Sequence, residues 1–81
     1  MDYELDLSIN AKKELDSLEK ENAIRILKKL REIKSNPFHY VKRLVGSELY
    51  SLRVGDYRVL IIIINNKLFV TRIGHRSEVY E

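Results

Sequence analysis

The feature that most constrains this 81-residue chain is a pair of turn dipeptides in its second half. Gly55-Asp56 and Asn65-Asn66 consist of residue types that tolerate positive φ, and each pair lies between runs of β-branched and aromatic residues. Two-residue turns of this kind join antiparallel strands, because their twist matches that of the strands. The second half therefore predicts three strands in two consecutive hairpins.

The first half predicts one strand followed by two helices. Apolar residues from Tyr3 to Ile9 alternate with polar ones, which is the period of a half-buried strand. Asn10 offers a cap for a helix over about residues 11–19, and a helical stripe of apolar residues predicts a second helix over about 21–34. Pro37 follows that helix and favours its end, since the residue before a proline avoids helical backbone.

These elements predict an α+β fold in the order β-α-α-β-β-β. The N-terminal strand and the meander form an antiparallel β-sheet, and both helices pack on one face of it. A chain of 81 residues with 44% hydrophobic content supports one modest core. We therefore expect residues 1–81 to form a single domain.

Composition excludes several classes of function. The chain has no cysteine, and its two histidines have no cluster of carboxylates near them, so we expect no disulfide, no metal site and no cofactor. The longest apolar run, Val59 to Ile64, is six residues, far short of the ~20 that a membrane-spanning helix needs. The acidic start lacks the pattern of a signal peptide. We expect a cytoplasmic protein without membrane contact.

The net charge of +3 is unevenly distributed along the chain. Up to Asn36 there are eight basic and eight acidic residues, whereas from Pro37 onwards there are seven basic and four acidic ones. The whole excess therefore lies in the half that carries the hairpins. A basic surface there would attract nucleic acid or an acidic segment of a partner protein.

The register of the first hairpin places two arginines opposite each other. A two-residue turn at Gly55-Asp56 pairs Arg53 with Arg58 on one face, and the other face is almost wholly apolar: Tyr50, Leu52, Val54, Tyr57, Val59, Ile61 and Ile63. We expect the helices on the apolar face. Like charges directly opposite destabilise a sheet by up to ~1 kcal/mol. Either an anion binds between the arginines, or the register differs by one residue, or the side chains splay into solvent.

The arginine face also carries aliphatic side chains that two helices on the other face cannot cover. These are Leu60, Ile62 and Ile64. An exposed apolar patch often marks a partner site. Alternatively, the loop over residues 36–47 or the C-terminal tail folds over them, and the sequence leaves both interpretations open.

Three segments resemble the RelE/ParE toxin superfamily, and RelE-type toxins in particular. They are Leu49–Val59 (LYSLRVGDYRV), the upstream Lys42-Arg43-Leu44, and Ile73–Tyr80 (IGHRSEVY). RelE-type proteins are toxins of type II toxin-antitoxin systems: ribosome-dependent endoribonucleases that cut mRNA in the ribosomal A site and are neutralised by a cognate antitoxin. The resemblance implies that fold, that activity, and as partners a RelB-like antitoxin in a toxin-antitoxin heteromer, the ribosome and mRNA.

The resemblance also assigns roles to individual residues. It implies catalysis by Arg53, Arg58, Arg76 and Tyr80, and RNA phosphate binding by Lys42, Arg43 and Arg72. Guanidinium groups suit the stabilisation of phosphorane-like charge, because they stay charged and match phosphate geometry. Tyr80 matches a tyrosine at the scissile nucleotide, where it stacks on a base or moves a proton; otherwise it is a tail residue that closes the core.

The chain departs from the family at its acid/base groups. Well-studied members often have lysines two apart on the strand before the hairpin, where this chain has Ser51 and Arg53. A serine carries no charge, and a guanidinium holds its proton too tightly to pass it on. His75, beside Arg76, is the candidate acid/base, although a histidine there also suits a hydrogen bond at a strand end.

Three functions therefore compete. The first is the ribosome-dependent endoribonuclease, the second a non-enzymatic ParE-like inhibitor of a topoisomerase such as gyrase, and the third a catalytically weak relic that still binds an antitoxin. Arg58, Arg76 and Tyr80 favour the first function over the second, and the missing lysine pair weakens it.

Overall fold

The computed structural model describes residues 2–79, which form two helices and a five-stranded sheet. In chain order the elements are β1 (Glu4–Leu7), α1 (Ile9–Asp16), α2 (Lys20–Glu32), two 3-10 turns (Ile33–Ser35 and Pro37–His39), β2 (Lys42–Arg43), β3 (Leu49–Val54), β4 (Tyr57–Ile64) and β5 (Lys67–His75). The predicted α+β class and the helices on one face are confirmed. Within residues 2–79, neither helix is long and apolar enough to cross a membrane.

The sheet differs from the predicted one in two details. Its strand order is β1-β5-β4-β3-β2, and β1 runs parallel to β5, so the sheet is mixed and not wholly antiparallel. The helices and the loop after them lead from β1 to the opposite edge of the sheet. The following strands lie successively closer to β1, and the last of them, β5, pairs with β1 in parallel. The second difference is β2, a two-residue edge strand that pairs Lys42 with Ser51 and Arg43 with Tyr50.

Both predicted hairpins are confirmed, and the first has the predicted register. Arg53 lies opposite Arg58, which excludes the alternative of a one-residue shift. Three of the four turn residues take positive φ angles, 59° at Gly55 and 51° and 59° at Asn65 and Asn66, whereas Asp56 does not. This register assigns each residue of β3 and β4 to one of the two faces of the sheet.

The helices cover the predicted apolar face of the sheet. The buried core consists of Ala11, Leu15, Ile26, Leu30, Ile33, Leu52, Val54, Val59, Ile61, Leu68, Val70 and Ile73, with Tyr57 and Ile63 packed at its border. Tyr50 instead packs edge to face against the Phe38 ring, 5.5 Å between centroids. We refer to the opposite face, which carries Arg53 and Arg58, as the outer face.

Helix α1 begins two residues earlier than the sequence predicted, because Ser8 and not Asn10 is its cap. The Ser8 hydroxyl oxygen accepts the Ala11 N–H at 3.0 Å, and the hydroxyl donates to the Thr71 carbonyl at 3.0 Å. Serine caps a helix as well as asparagine does. Ser8 also has extended backbone, so the strand passes into the helix at this residue.

The C-terminal tail covers part of the outer face. The N–H groups of Glu78 and Val79 both donate to the His75 carbonyl, at 2.8 and 3.1 Å, so the chain turns back after β5. A Cβ added to Gly74 would overlap Cγ2 of Val79. Because Gly74 is paired with Arg58, Val79 lies on the outer face.

The aliphatic side chains of that face consequently have different environments. Leu60, a diagonal neighbour of Gly74, is 1% exposed, whereas Ile64 at the far end of β4 is 59% exposed. The C-terminal tail therefore covers the Leu60 end of this row of aliphatic side chains. The other end remains exposed, so each of the two interpretations that the sequence left open holds for one part of the row.

Candidate nucleic-acid cleft

A cleft of about 530 Å³ lies on the outer face, between the hairpin arginines and the loop around β2. The described residues that line it are Tyr40, Lys42, Arg43, Leu44, Val45, Ser51, Arg53, Arg58 and Arg76. Five of these are cationic and none is acidic; of the five, Arg43 borders the cleft, with its guanidinium directed to the Tyr50 ring on the other face of β2. The cleft thus brings together five of the eight residues that the sequence assigned to catalysis, acid/base chemistry or phosphate binding.

Backbone contacts position three arginines around the β3–β4 turn. Arg53 and Arg58 are direct cross-strand partners, which places their Cβ atoms ~5 Å apart. The Arg53 Nε donates to the Gly55 carbonyl at 3.2 Å. The Arg76 backbone N–H donates to the Asp56 carbonyl at 2.9 Å, so the start of the tail is fixed at the same turn. Three arginines are therefore anchored at one hairpin turn, and all three line the cleft.

The cations of the cleft have no carboxylate partners among residues 2–79. The two salt bridges described there join Lys29 to Glu32 and Arg72 to Glu14, both outside the cleft. Unpaired cations grouped in a concave surface concentrate positive potential and attract a polyanion. The cleft is therefore suited to bind phosphate groups of RNA.

Arg72 lies away from this cleft. Its Nε is 3.1 Å from Oε2 of Glu14 in α1, and Oε1 of Glu14 accepts the Ile73 N–H at 2.8 Å. The pairing of β1 with β5 ends at Leu7 and Val70. Ile73 lies beyond that point, so its N–H donates to the Glu14 carboxylate and not to a strand partner. Arg72 thus supports the junction of α1 with β5, and the structure does not bring it to the predicted phosphate-binding residues.

His75 also points away from the arginines. Its Nδ1 accepts the Ser77 N–H at 3.3 Å and lies 2.8 Å from the Ser77 hydroxyl oxygen. Its ring packs edge to face against Tyr57, at 6.0 Å between centroids, and the Tyr57 hydroxyl accepts a hydrogen bond from Asn22 of α2. His75 therefore lies on the helix side of the sheet, in the strand-end arrangement that the sequence left open as the alternative.

The structure does not describe Tyr80, the fourth predicted catalytic residue, which lies outside residues 2–79. Val79, the last described residue, is buried on the outer face next to Gly74. The position of Tyr80 at the scissile nucleotide therefore stays a prediction.

Tyr40 is a cleft residue that the sequence analysis did not identify. The Lys29 ammonium lies 5.0 Å from the centroid of its ring, and the His39 ring packs against it edge to face, also at 5.0 Å. The hydrogen bond to Glu32 raises the pKa of Lys29, so this cation stays charged. The tyrosine is 38% exposed, and its ring can stack on a base. The available signal in the sequence was an aromatic residue two positions before the basic pair Lys42-Arg43.

Comparisons of the whole chain define its class. The fold is similar to RelBE2 of Mycobacterium tuberculosis (TM-score 0.84, 20% identity, 96% of this chain and 95% of that chain). It is also similar to the RelE-RelB complex of Pyrococcus horikoshii (0.81, 25%, 98% and 100%) and to mutant E. coli RelE in complex with an antitoxin RelBc peptide (0.76, 30%, 99% and 92%). The architecture is that of RelE toxins.

The sequence comparison gives the family. A model of the ParE toxin of type II toxin-antitoxin systems matches residues 5–80, whereas a search of curated proteins gave no match. The chain belongs to this ParE toxin family, within the RelE/ParE superfamily of type II toxins.

Proposed function

We propose that this toxin is an endoribonuclease that cleaves mRNA in the ribosomal A site. The observation that carries the proposal is the cleft lined by Arg53, Arg58 and Arg76, which are anchored at one hairpin turn and have no carboxylate partners among the described residues. The similarity to RelE structures, one of them at 30% identity, supports it.

The arginines suit the electrostatic requirement of the reaction. The 2′-oxygen of the RNA attacks the adjacent phosphorus, the bond to the 5′-oxygen breaks, and the products are a 2′,3′-cyclic phosphate and a 5′-hydroxyl. Negative charge on the phosphoryl oxygens increases in the transition state. Guanidinium groups already in place stabilise that charge without reorganisation, which is the largest contribution in many enzymes. Arg58 and Arg76 are the residues to which we assign this role.

The ribosome supplies what the cleft lacks. In-line attack requires the 2′-oxygen, the phosphorus and the 5′-oxygen to lie on one line. Holding the RNA in this orientation lowers the activation free energy by several kcal/mol. Among the described residues that line the cleft, cationic side chains can hold the phosphate groups and Tyr40 is the aromatic side chain that can hold a base. We infer that mRNA bound in the A site is presented to the cleft in an orientation that free RNA rarely adopts.

A RelB-like antitoxin is the protein partner in this proposal, and the two chains form a toxin-antitoxin heteromer. The similar RelE structures include complexes with RelB proteins. On this chain, Val45 (96% exposed) lines the basic cleft, and Ile64 (59% exposed) lies on the outer face at the far end of β4. We infer an extended or helical antitoxin segment with aliphatic residues on this surface and acidic ones near the arginines. Because its proposed targets are ribosomes and mRNA, we place the toxin in the cytoplasm. We also propose that residues 1–81 form a single domain.

A second candidate function is inhibition of a topoisomerase without catalysis. The observation that favours it is the matching family model, which describes ParE toxins. A relic that binds only its antitoxin is the third possibility. Both alternatives leave mRNA intact.

The three functions are separated by one pair of assays on the purified protein. Primer extension on ribosomes stalled with a defined codon in the A site detects cleavage of mRNA, and a supercoiling assay with gyrase detects topoisomerase inhibition. The proposal expects cleavage that depends on the ribosome and unchanged supercoiling. Intact mRNA together with lost supercoiling activity would establish the topoisomerase function instead, and no effect in either assay would indicate the relic.

A further inference from the structure

The sheet register places a lysine beside the position where the family's strand lysine is missing. Lys42 of β2 is the direct cross-strand partner of Ser51 in β3. Residues directly opposite in an antiparallel pair lie on the same face, with their Cβ atoms ~5 Å apart. Lys42 and Ser51 both line the cleft that contains Arg58.

The neighbouring residue supports this orientation. Arg43, next to Lys42 on β2, has its guanidinium 6.0 Å from the centroid of the Tyr50 ring, and Tyr50 is its own cross-strand partner. Successive residues of a strand point to opposite faces. Lys42 is therefore directed to the face of Ser51, and it is exposed, without a salt bridge to any residue in 2–79.

The reaction needs a proton donor that the arginines cannot replace. The 5′-oxygen leaves as an alkoxide unless a proton reaches it, and a guanidinium does not release its proton at accessible pH. His75 points to the other side of the sheet. Among the described residues of the cleft, Lys42 and the Tyr40 hydroxyl are the groups that can give up a proton.

We propose that Lys42 is the general acid of the cleavage reaction, in the place that a lysine at position 51 holds in other family members; this inference rests on the proposed ribonuclease function. The ammonium gives one proton to the 5′-oxygen as its bond to phosphorus breaks. The 2′-hydroxyl proton passes to water when the 2′-oxygen attacks, and the neutral amine regains a proton from water. Atoms and charge balance without a further reactant.

The test is the single-turnover rate of mRNA cleavage on stalled ribosomes. Lys42→Ala should lower the rate about a hundredfold or more, within the range for loss of a general acid. Lys42→Arg keeps the charge but cannot transfer the proton, so it should be nearly as slow. The double variant Lys42→Ala/Ser51→Lys moves the amine to the other member of the cross-strand pair and should recover at least tenfold over Lys42→Ala.

One control variant and one competing variant complete the design. The control, Lys67→Ala, removes an exposed strand lysine outside the cleft and should cleave at the parental rate. The competing variant, Tyr40→Phe, removes the other hydroxyl that could give up a proton and keeps the ring, so it tests whether the tyrosine is the acid instead of Lys42. Circular dichroism of each variant confirms that the edge strand tolerates the change.

The outcomes distinguish this inference from the function on which it rests. If the unmodified protein leaves mRNA intact, both the nuclease function and the assignment to Lys42 are wrong. If the parent cleaves and Lys42→Arg or Lys42→Ala cleaves equally fast, the assignment to Lys42 is wrong while the nuclease function stands. If Tyr40→Phe is the slow variant and Lys42→Ala is not, the tyrosine hydroxyl is the acid.

Discussion

At the residue scale, the paired arginines of the hairpin are a local conflict that the fold tolerates. Arg53 and Arg58 are direct cross-strand neighbours, and neither has a carboxylate partner within residues 2–79. Sites of this kind are expected where function, and not stability, determines the residue. The conflict was visible in the sequence because a two-residue turn fixes the register on both sides of Gly55-Asp56.

The first prediction concerns stability without RNA. Arg58→Ala removes the repulsion, so the free energy of unfolding should rise by a few tenths to ~1 kcal/mol. Urea unfolding at low salt measures the change, and the gain should shrink as added salt screens the charges. The control is Arg31→Ala, which removes an exposed arginine of α2. A loss of stability in Arg58→Ala would mean that the arginine supports the fold through its packing.

The second prediction concerns Tyr80, whose role rests on the family resemblance. Tyr80→Ala should slow cleavage on the ribosome, because a stacking ring contributes about 1–3 kcal/mol to the binding of a base. Tyr80→Phe keeps the ring and removes the hydroxyl. With Lys42 as the acid, Tyr80→Phe should cleave within a few-fold of the parent in a single-turnover assay. A Phe variant as slow as the Ala variant would assign proton transfer to Tyr80.

Among the secondary-structure elements, the end of β5 connects the sheet to the tail segment that carries Arg76 into the cleft. Gly74 allows Val79 to pack on the outer face, and the Arg76 N–H fixes the intervening turn to Asp56. The sequence predicted both hairpins, because local turn residues determine them. It did not predict β2, since two residues have no periodicity, nor the parallel pairing of β1, which depends on the path of the whole chain.

The third prediction tests this junction. Gly74→Ala places a methyl group where Val79 lies, so the free energy of unfolding should fall by about 1–3 kcal/mol, as overpacked sites do. Cleavage should also slow, because the tail carries Arg76 and Tyr80. Val79→Ala in the same chain makes room and should restore part of the stability, which a double-mutant cycle in urea measures. Additive losses would show that the two residues do not share this space.

At the scale of the whole molecule, the charge of the chain is divided between its two halves. The helical half is neutral, and the excess positive charge lies in the hairpin half, where the cleft forms. Sequence reasoning located this asymmetry and five of the cleft residues. It did not separate Arg72 and His75 from them, because their directions depend on Glu14 of α1 and on Tyr57, which are distant in the sequence.

The fourth prediction follows from this asymmetry. A cognate antitoxin should bind the toxin, and its affinity should fall about tenfold or more as salt rises from about 50 to about 500 mM, because we expect its acidic side chains to meet the basic cleft. Calorimetric titration at several salt concentrations measures it. Arg31→Ala should bind like the parent, while Arg58→Ala should show a weaker salt dependence. Binding that ignores salt would place the antitoxin on another surface.

If the arginine cleft stabilises a cleavage transition state, the loss of either arginine must slow the chemical step. The decisive quantity is the single-turnover rate of mRNA cleavage on stalled ribosomes for Arg58→Ala and Arg76→Ala, with Arg31→Ala as the matched control. We predict a loss of about a hundredfold or more for each cleft variant, a smaller loss of ribosome binding, and a parental rate for the control. Cleavage by Arg58→Ala and Arg76→Ala at the parental rate would contradict the account.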